Sequence, residues 1–479
     1  MLTFNTSRSR HQDFLRCPRA RYWLHEAQGT GFEPVRVSVP LATGTAVHAG
    51  LAALLEGSDE ESAVQAGLAD YLKKCAQRDF SLDQLENQSF VFNEQRALVE
   101  ALIRLAARRI VPALLTTYDI LEVEQIDTVP FVSGPDYEVQ WRSIPDALML
   151  HRETNELYIL SWKTTSEFSP QRDQDARIDM QGLSEPWAVE QRLESWWREL
   201  NTSESGEAPA GIPRWFVDYY KGFYAPRNPQ PFPGIRGVQM VYLVKGARRE
   251  LTPSSFLASG ETLNQITSGA KIYRSCSPLI YGLVQDSSPG LCPPSYAWSS
   301  RYQCAAPHPM RKSKWYPSGE CPGDGRNHEL PGEWSNFAAW NHMTVKEWID
   351  RLEEGNVLPS SDPLSSAWAM PMPHYRTQEA KESWARQTRC SERRIAEELS
   401  NIRPMEHLSE ELLLELDISF EQDTSNCNDW FARKCPCYSI CHEGAWCDPV
   451  GSGEYQLKEQ YQGRGKYEDP KRDHRTATE

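Results

Sequence analysis

Two residues in the middle of the chain carry its most pointed chemistry: Asp146, in Arg142-Ser-Ile-Pro-Asp146, and Lys163, in Ser161-Trp162-Lys163. Between them lie two short apolar runs joined by a polar turn, His151 to Glu156, the pattern of a β-hairpin in a half-buried sheet. Asp146 then opens the first strand and Lys163 ends the second, so a carboxylate and an ammonium come to one rim. A carboxylate can hold a divalent cation that polarises a phosphoryl oxygen, and a lysine beside it can position or help deprotonate a water.

The flanking segments must supply the scaffold for that rim. Ser9 to Glu26 reads as a helix that Pro18 breaks or kinks. A second helix opens at Leu41 with Thr43 or Thr45 as cap candidates, and it carries Gly44-Thr-Ala-Val-His48. Glu60 to Arg78 and Asn93 to Thr116 repeat apolar residues every three or four positions, as at Leu98, Leu102, Leu105, Ile110 and Leu114, which predicts helices with a core-facing stripe. Tyr118 to Val129 and Tyr137 to Trp141 read as strands leading into the hairpin, with Gly134-Pro135 marking the turn. After the hairpin, Ile178 to Leu200 is a predicted helix carrying Gln181, Asn201 to Gly211 a surface loop, and Gly237 to Lys245 an apolar strand. Helices, then a meander, then a helix predict an α/β fold with a mixed sheet.

A chain of 479 residues with 39% apolar content has the length for two to three domains and enough apolar material for a sizeable core. Met1 to Gln12 are polar and no run of about 18 apolar residues occurs, so neither a signal peptide nor a membrane span is expected, and a cytoplasmic location is. The formal net charge of −15 argues against a protein that coats nucleic acid by overall charge. A local basic channel is compatible with it, and Arg8, Arg10, Arg16, Arg19 and Arg21 cluster at the amino end, either for that purpose or as a solvated helix face.

Twelve cysteines without a secretory signal point to metal or cluster ligation before disulfides. Cys427, Cys435, Cys437, Cys441 and Cys447 fall within 21 residues, and proline follows one of them at Cys435-Pro436. Iron–sulfur clusters require four such soft thiolates, although a structural zinc could use the same ones. A second group, Cys292, Cys304, His308 and Cys321, with His328 nearby, lies in the irregular Pro-, Gly-, Ser- and Trp-rich stretch from Ser275 to Gly332. Its spacing lacks a Cys-x-x-Cys knuckle, so zinc competes there with simple packing of the Trp and Tyr residues. Val345 to Glu354, Gln378 to Leu399 and Leu408 to Leu416 read as helices, and Gly451 to Glu479 as a polar tail with little to bury.

In their order along the chain, Cys17-Pro18-Arg19, Gly44 to His48, Pro145-Asp146, Ser161-Trp162-Lys163, Gln181 and the final cysteine group resemble the PD-(D/E)XK nuclease superfamily, and more narrowly its RecB-like exonuclease branch with an iron–sulfur cluster, which includes AddB-type and CRISPR-associated exonucleases. The resemblance implies a restriction-endonuclease-like mixed β-sheet flanked by helices, with insertions and a C-terminal cysteine cluster. It implies that Asp146 holds Mg²⁺ or Mn²⁺ with His48, that position 161 and the carbonyl of Trp162 complete the metal site, and that Lys163 and Gln181 act in catalysis. It also implies a 4Fe–4S cluster on Cys17, Cys427, Cys435 and Cys441, with Cys437 and Cys447 in reserve. Two positions depart from the pattern: Ser161 stands where the family has its second carboxylate, and Glu185 where a tyrosine commonly follows the glutamine.

Three readings of function follow. The first is a metal-dependent DNA nuclease, acting on DNA ends beside a helicase or another recombination or replication partner. The second is a catalytically impaired DNA-binding or assembly subunit, because of Ser161. The third is a zinc-stabilised interaction module. The expected division is a nuclease core over residues 1–200, its continuation with a surface insertion over 201–275, an irregular insertion over 276–343, a helical segment with the cysteine cluster over 344–450, and a disordered tail over 451–479.

Overall fold

The computed structural model describes residues 2–35, 39–76, 96, 98–165, 168–202, 209, 211–223, 231–245, 368–402, 410–423, 427 and 435–458. The second cysteine group, Cys292, Cys304, His308 and Cys321, and the helix expected at 345–354 lie outside the described residues.

The amino end begins with a strand that local pattern did not announce, β1 (Leu2–Thr6), followed by α1 (Arg8–Arg16). Ser7 caps α1, its hydroxyl accepting from the Arg10 backbone N–H. The helix stops at Cys17, whose backbone is extended because the residue before a proline is pushed out of the helical region. Pro18 then opens the single turn α2 (Pro18–Arg21), which runs into a π turn, Tyr22–Glu26, before β2 (Phe32–Pro34). The next two helices are α3 (Val39–Leu55) and α4 (Glu60–Ala76). Neither threonine caps α3, which starts earlier than expected: Thr43 is fully buried inside it, and the Thr45 hydroxyl donates to Leu41 O and Ala42 O. A third helical stretch runs from 98 through a π turn, Ala106–Ile110, into α5 (Val111–Thr117).

The strand expected over Tyr118 to Val129 is two strands in two sheets. β3 (Tyr118–Val123) ends at Glu124, which takes a positive φ of 45°, and β4 (Asp127–Ser133) continues in a new direction. β4 joins β5 (Tyr137–Ser143) and β1 in a three-stranded sheet, with β1 and β5 parallel. β3 belongs instead to the larger sheet, where β6 (Ala147–His151) and β7 (Leu157–Thr165) form the expected antiparallel hairpin. Parallel to β7 on its other side lies β8 (Ile235–Val244), against which the short β9 (Trp368–Ala369) and β10 (His374–Tyr375) pair antiparallel.

Both faces of the larger sheet are covered, as strands with near-continuous apolar runs require. Met149, Tyr158, Leu160, Trp162, Val241 and Leu243 meet α3, α4 and the 98–117 helices. Gly67 lets α3 and α4 close on each other, since a Cβ there would stand 2.9 Å from the Ala46 carbonyl oxygen. Leu148, Leu157, Ile159, Val238 and Met240 meet the other layer. There, α6 (Pro170–Ile178), which was not expected, is followed by α7 (Gln181–Thr202) and α8 (Arg214–Phe223); the helix expected over Ile178 to Leu200 is α7, starting three residues later. Extended backbone at Asp179 separates α6 from α7. α7 also lies against the smaller sheet, where Trp187 joins Phe131, Trp141 and Trp384 of α9 (Gln378–Asn401) in one aromatic core.

The remaining elements, α10 (Glu410–Ser419), α11 (Tyr438–His442) and β11 (Tyr455–Leu457), pack with the amino end. β11 pairs antiparallel with β2, and Leu412, Leu416, Phe420 and Ile440 share a core with Tyr22, Trp23 and Phe32. The stretch expected as a structureless tail therefore begins with a buried, strand-paired Tyr455; residues 459–479 lie outside the described residues. The whole is an α/β fold with mixed sheets, consistent with a restriction-endonuclease-like architecture.

Candidate functional site

The hairpin register sets the site. Ala147 pairs with Leu160 and Leu150 with Leu157, which carries Asp146 up beside Ser161 and Trp162 at the next step of the ladder. The Trp162 backbone N–H donates to Asp146 Oδ2 at 2.7 Å, fixing that carboxylate at the strand end. Side chains alternate along a strand, so Ser161 and Lys163 continue the face of Leu157 and Ile159, which looks toward α7. The Trp162 indole points to the opposite face and is buried there.

α3 brings the imidazole. Gly44 gives this helix its close approach to β7, because a Cβ there would sit 3.3 Å from Thr164 Oγ1. One turn later on the same helix face, His48 Nδ1 lies 3.0 Å from Asp146 Oδ1. α7 contributes from the other side. Gln181 stands in its first turn, and its side-chain oxygen accepts from both Lys163 Nζ and the Arg8 guanidinium. Its amide nitrogen donates to Ser161 Oγ at 3.1 Å and to Glu185 Oε1 at 2.6 Å. Pro186 cannot donate a hydrogen bond to the carbonyl of Gly182 four residues earlier, and Arg376 Nε donates to that carbonyl instead, at 2.7 Å. The first turns of α7 are thus held firmly at the site despite the proline.

The ionisable groups here are shifted from their ordinary pKa values. Glu185 is buried; loss of hydration and the nearby Asp146 charge push its pKa up to about 8, against the pull of Lys163 and Arg8. Its Oε2 has no hydrogen-bond partner. Burial and the Arg8 charge lower the Lys163 pKa, while Glu185 and Asp146 oppose the shift. Burial works against a charged His48, but the Asp146 charge and hydrogen bond outweigh it and raise the His48 pKa. A carboxylate, an imidazole and an amine therefore converge from two strands and a helix, with the Gln181 amide of a fourth element on the amine.

Residues 5–196 match the family model of the PD-(D/E)XK nuclease superfamily. The matched stretch runs from within β1 almost to the end of α7, so every residue of this constellation lies inside it. No curated protein matches the chain.

The expected site residues His48, Asp146, Ser161, Lys163 and Gln181 thus come together, as does the backbone of Trp162. Sequence reading gave two participants no place at this site. Arg8, one of five arginines at the amino end, reaches Gln181, and Glu185 does so from one helical turn further along α7. The four-residue spacing of Gln181 and Glu185 was the available signal for the second. Nothing local foretold the first, because Arg8 and Gln181 are 173 positions apart.

The cysteines gather at the junction of the chain ends. Cys17, Cys427, Cys435, Cys437 and Cys441 line one pocket with Ala20, Gln422, Asp423 and Tyr438, whereas Cys447 is exposed outside it. The Cys17 sulfur accepts from the Asp423 backbone N–H at 3.4 Å, across 406 positions of sequence. A hydrogen bond from the Cys437 thiol lowers the Cys435 pKa to about 6, while burial pushes Cys441 up to about 12. Among the described residues no group of three or more His, Cys, Asp or Glu side chains is arranged to hold a metal ion. No helix among them is long and apolar enough to cross a membrane.

Proposed function

We propose that the protein is a metal-dependent DNA nuclease of the RecB-like exonuclease kind, with an iron–sulfur cluster joining its ends. The observation that carries this reading is the convergence of His48, Asp146, Lys163 and Gln181 from α3, the β6 end, β7 and α7 inside the stretch matched to the nuclease superfamily. The Asp146 carboxylate at the strand end and the His48 imidazole beside it are donors of the kind a divalent cation takes. When bound, Mg²⁺ or Mn²⁺ would neutralise charge developing on the phosphate. Asp146 and His48 would hold it, with the Trp162 carbonyl. Lys163, steadied by Gln181, would orient the attacking water, and Arg8 would contribute positive charge for the DNA backbone.

The pocket of thiols at the chain ends suits an iron–sulfur cluster with Cys17, Cys427, Cys435 and Cys441 as ligands. Cys437 also lines that pocket and is the alternative to one of them. Metal–thiolate bonds there would clasp α2 to the carboxyl-terminal segment and stabilise the fold outright. Action on DNA ends beside a helicase or recombination partner, in the cytoplasm, belongs to the same proposal.

Ser161 supports a second reading, a DNA-binding subunit without catalysis, because a neutral hydroxyl is a poor ligand for a hard cation. Purified protein incubated with Mn²⁺ and end-labelled linear DNA separates the two. Cleavage that disappears in Lys163→Ala is expected, and equal traces for both proteins would leave only the second reading. Iron and acid-labile sulfide in anaerobically purified protein are expected in cluster stoichiometry; zinc in their place would refute the cluster.

A further inference from the structure

Three guanidinium groups from distant parts of the chain meet at the junction of α6 and α7. Arg8 Nη1 lies 3.8 Å from Asp179 Oδ1. Arg376, just after β10, donates from Nε to Gly182 O at 2.7 Å and at a long 3.4 Å from Nη1 to Tyr375 O, while its Nη2 has no partner. Gly182 makes room for that group, since a Cβ there would stand 2.4 Å from Arg376 Nη2. The Arg376 side chain keeps part of its surface open to solvent. Arg177 is half-exposed in the last turn of α6. Burial and then the Arg177 charge lower the Arg376 pKa, against the pull of Asp179.

Little negative charge answers this group. Asp179 holds the Gln181 backbone N–H at 2.8 Å, and Asp173 is taken by His374 at 2.8 Å and Arg177 at 3.3 Å. No carboxylate among the described residues pairs with Arg376. Arg8 and Arg376 also stand at the first turn of the 22-residue α7, the positive end of its dipole, where an anion is stabilised and a cation is not. In a chain of net charge −15 such a gathering does not follow from overall composition. It borders the candidate site, because Gln181, the neighbour of Gly182, accepts from both Arg8 and Lys163.

We propose that Arg177 and Arg376 bind the DNA backbone at a phosphate beside the one held at Asp146 and Lys163, extending the strip that Arg8 begins. This rests on the nuclease reading above and deepens it by stating where the strand runs, over the α6–α7 junction. A phosphate there supplies the negative charge that the guanidinium groups and the helix end lack. It is held by side chains, because the backbone N–H groups of residues 181–184 are already bonded within the turn.

Binding of the full-length protein to a fluorescein-labelled linear duplex tests it, followed by anisotropy in EDTA so that no cleavage occurs, from about 50 to 200 mM KCl. Loss of one phosphate contact should reduce the slope of log affinity against log salt by about 0.9. Arg376→Gln removes the charge but leaves an amide that can donate to the Gly182 carbonyl, and Arg177→Gln alters a half-exposed side chain with one ion pair; each should show that reduction. Arg214→Gln, on α8 with 94% of its side chain exposed, removes the same charge elsewhere and should keep the wild-type slope. A purely structural role for either arginine would move thermal unfolding and not the slope. A wild-type slope in either folded variant, or an equal reduction in Arg214→Gln, would overturn the proposal; should Arg376→Gln not fold, Arg177→Gln decides it by the same criterion. Mn²⁺-dependent cleavage by wild type beside such a result leaves the nuclease reading standing, whereas a wild type that neither binds nor cleaves the duplex sinks both.

Discussion

Replacing Asp146 by asparagine tests the centre of the site with little change of shape. The carboxylate accepts from the Trp162 N–H at 2.7 Å and faces His48 Nδ1 at 3.0 Å. An asparagine can keep its carbonyl on the Trp162 N–H and turn its amide toward His48, whose ring nitrogen accepts in the other tautomer. The fold then loses only the charge in two hydrogen bonds, about 1–2 kcal/mol. In a chain of this size that is a fall in Tm of about 1–2 °C. Function should suffer far more. With the negative charge gone, the cation loses its strand ligand and His48 loses the main charge that raises its pKa, so burial and the Lys163 charge, opposed by Glu124, act on the imidazole. A drop of about 10³-fold in cleavage rate, roughly 4 kcal/mol in barrier, is expected. Single-turnover cleavage of end-labelled linear duplex in Mn²⁺, beside thermal unfolding of the same preparations, reads both quantities. A folded Asp146→Asn protein that cleaves within about tenfold of wild type would refute the assignment, since a cation ligand cannot be dispensed with so cheaply.

Other consequences are equally open to measurement. Lys163→Met should slow cleavage by about 10²–10⁴-fold, as loss of a group that assists proton transfer does, while Mn²⁺ affinity falls little; parallel losses of both would show Lys163 to be structural. Lys381→Met leaves Glu190 buried without its cation and with only the Ile235 N–H as partner, so the urea midpoint should fall by the equivalent of about 3–5 kcal/mol. Glu392, nearly unexposed, resists ionisation through burial, but the Arg21 charge and the His11 hydrogen bond prevail and hold its pKa below the usual carboxylate range. A carboxylate depressed in the folded state stabilises above its unfolded pKa, and that stability disappears as pH falls through the lower folded value. Urea unfolding of wild type should therefore weaken progressively below a pH of about 4.5, and Glu392→Gln should be less stable at neutral pH with a flatter acid limb. An unchanged acid limb in that variant would remove Glu392 from the linkage.

The residues of the candidate site were readable because their signals are local. Two short apolar runs joined by a polar turn forecast the hairpin, the Gly44-to-His48 spacing matched the pattern of the family it resembles, and Cys17-Pro18 forecast the break after α1. Boundaries were less legible. The run from Tyr118 to Val129 is uninterrupted in character, yet a single left-handed residue, Glu124, turns it from one sheet into another. Thr43 looks like a cap and is buried core, because the helix begins upstream and tertiary contacts outrank capping preference.

The sequence by itself determined which side chains could work as a cation, water and phosphate apparatus, because residue chemistry and short-range period are written along the chain. It could not say that Glu185 stands within one amide of Ser161 or that Arg8 reaches Gln181. Those meetings depend on which faces the two sheets offer to α7 and on how the chain ends pack together. Such long-range choices are made by the burial of many apolar side chains at once, and no short stretch of sequence encodes them.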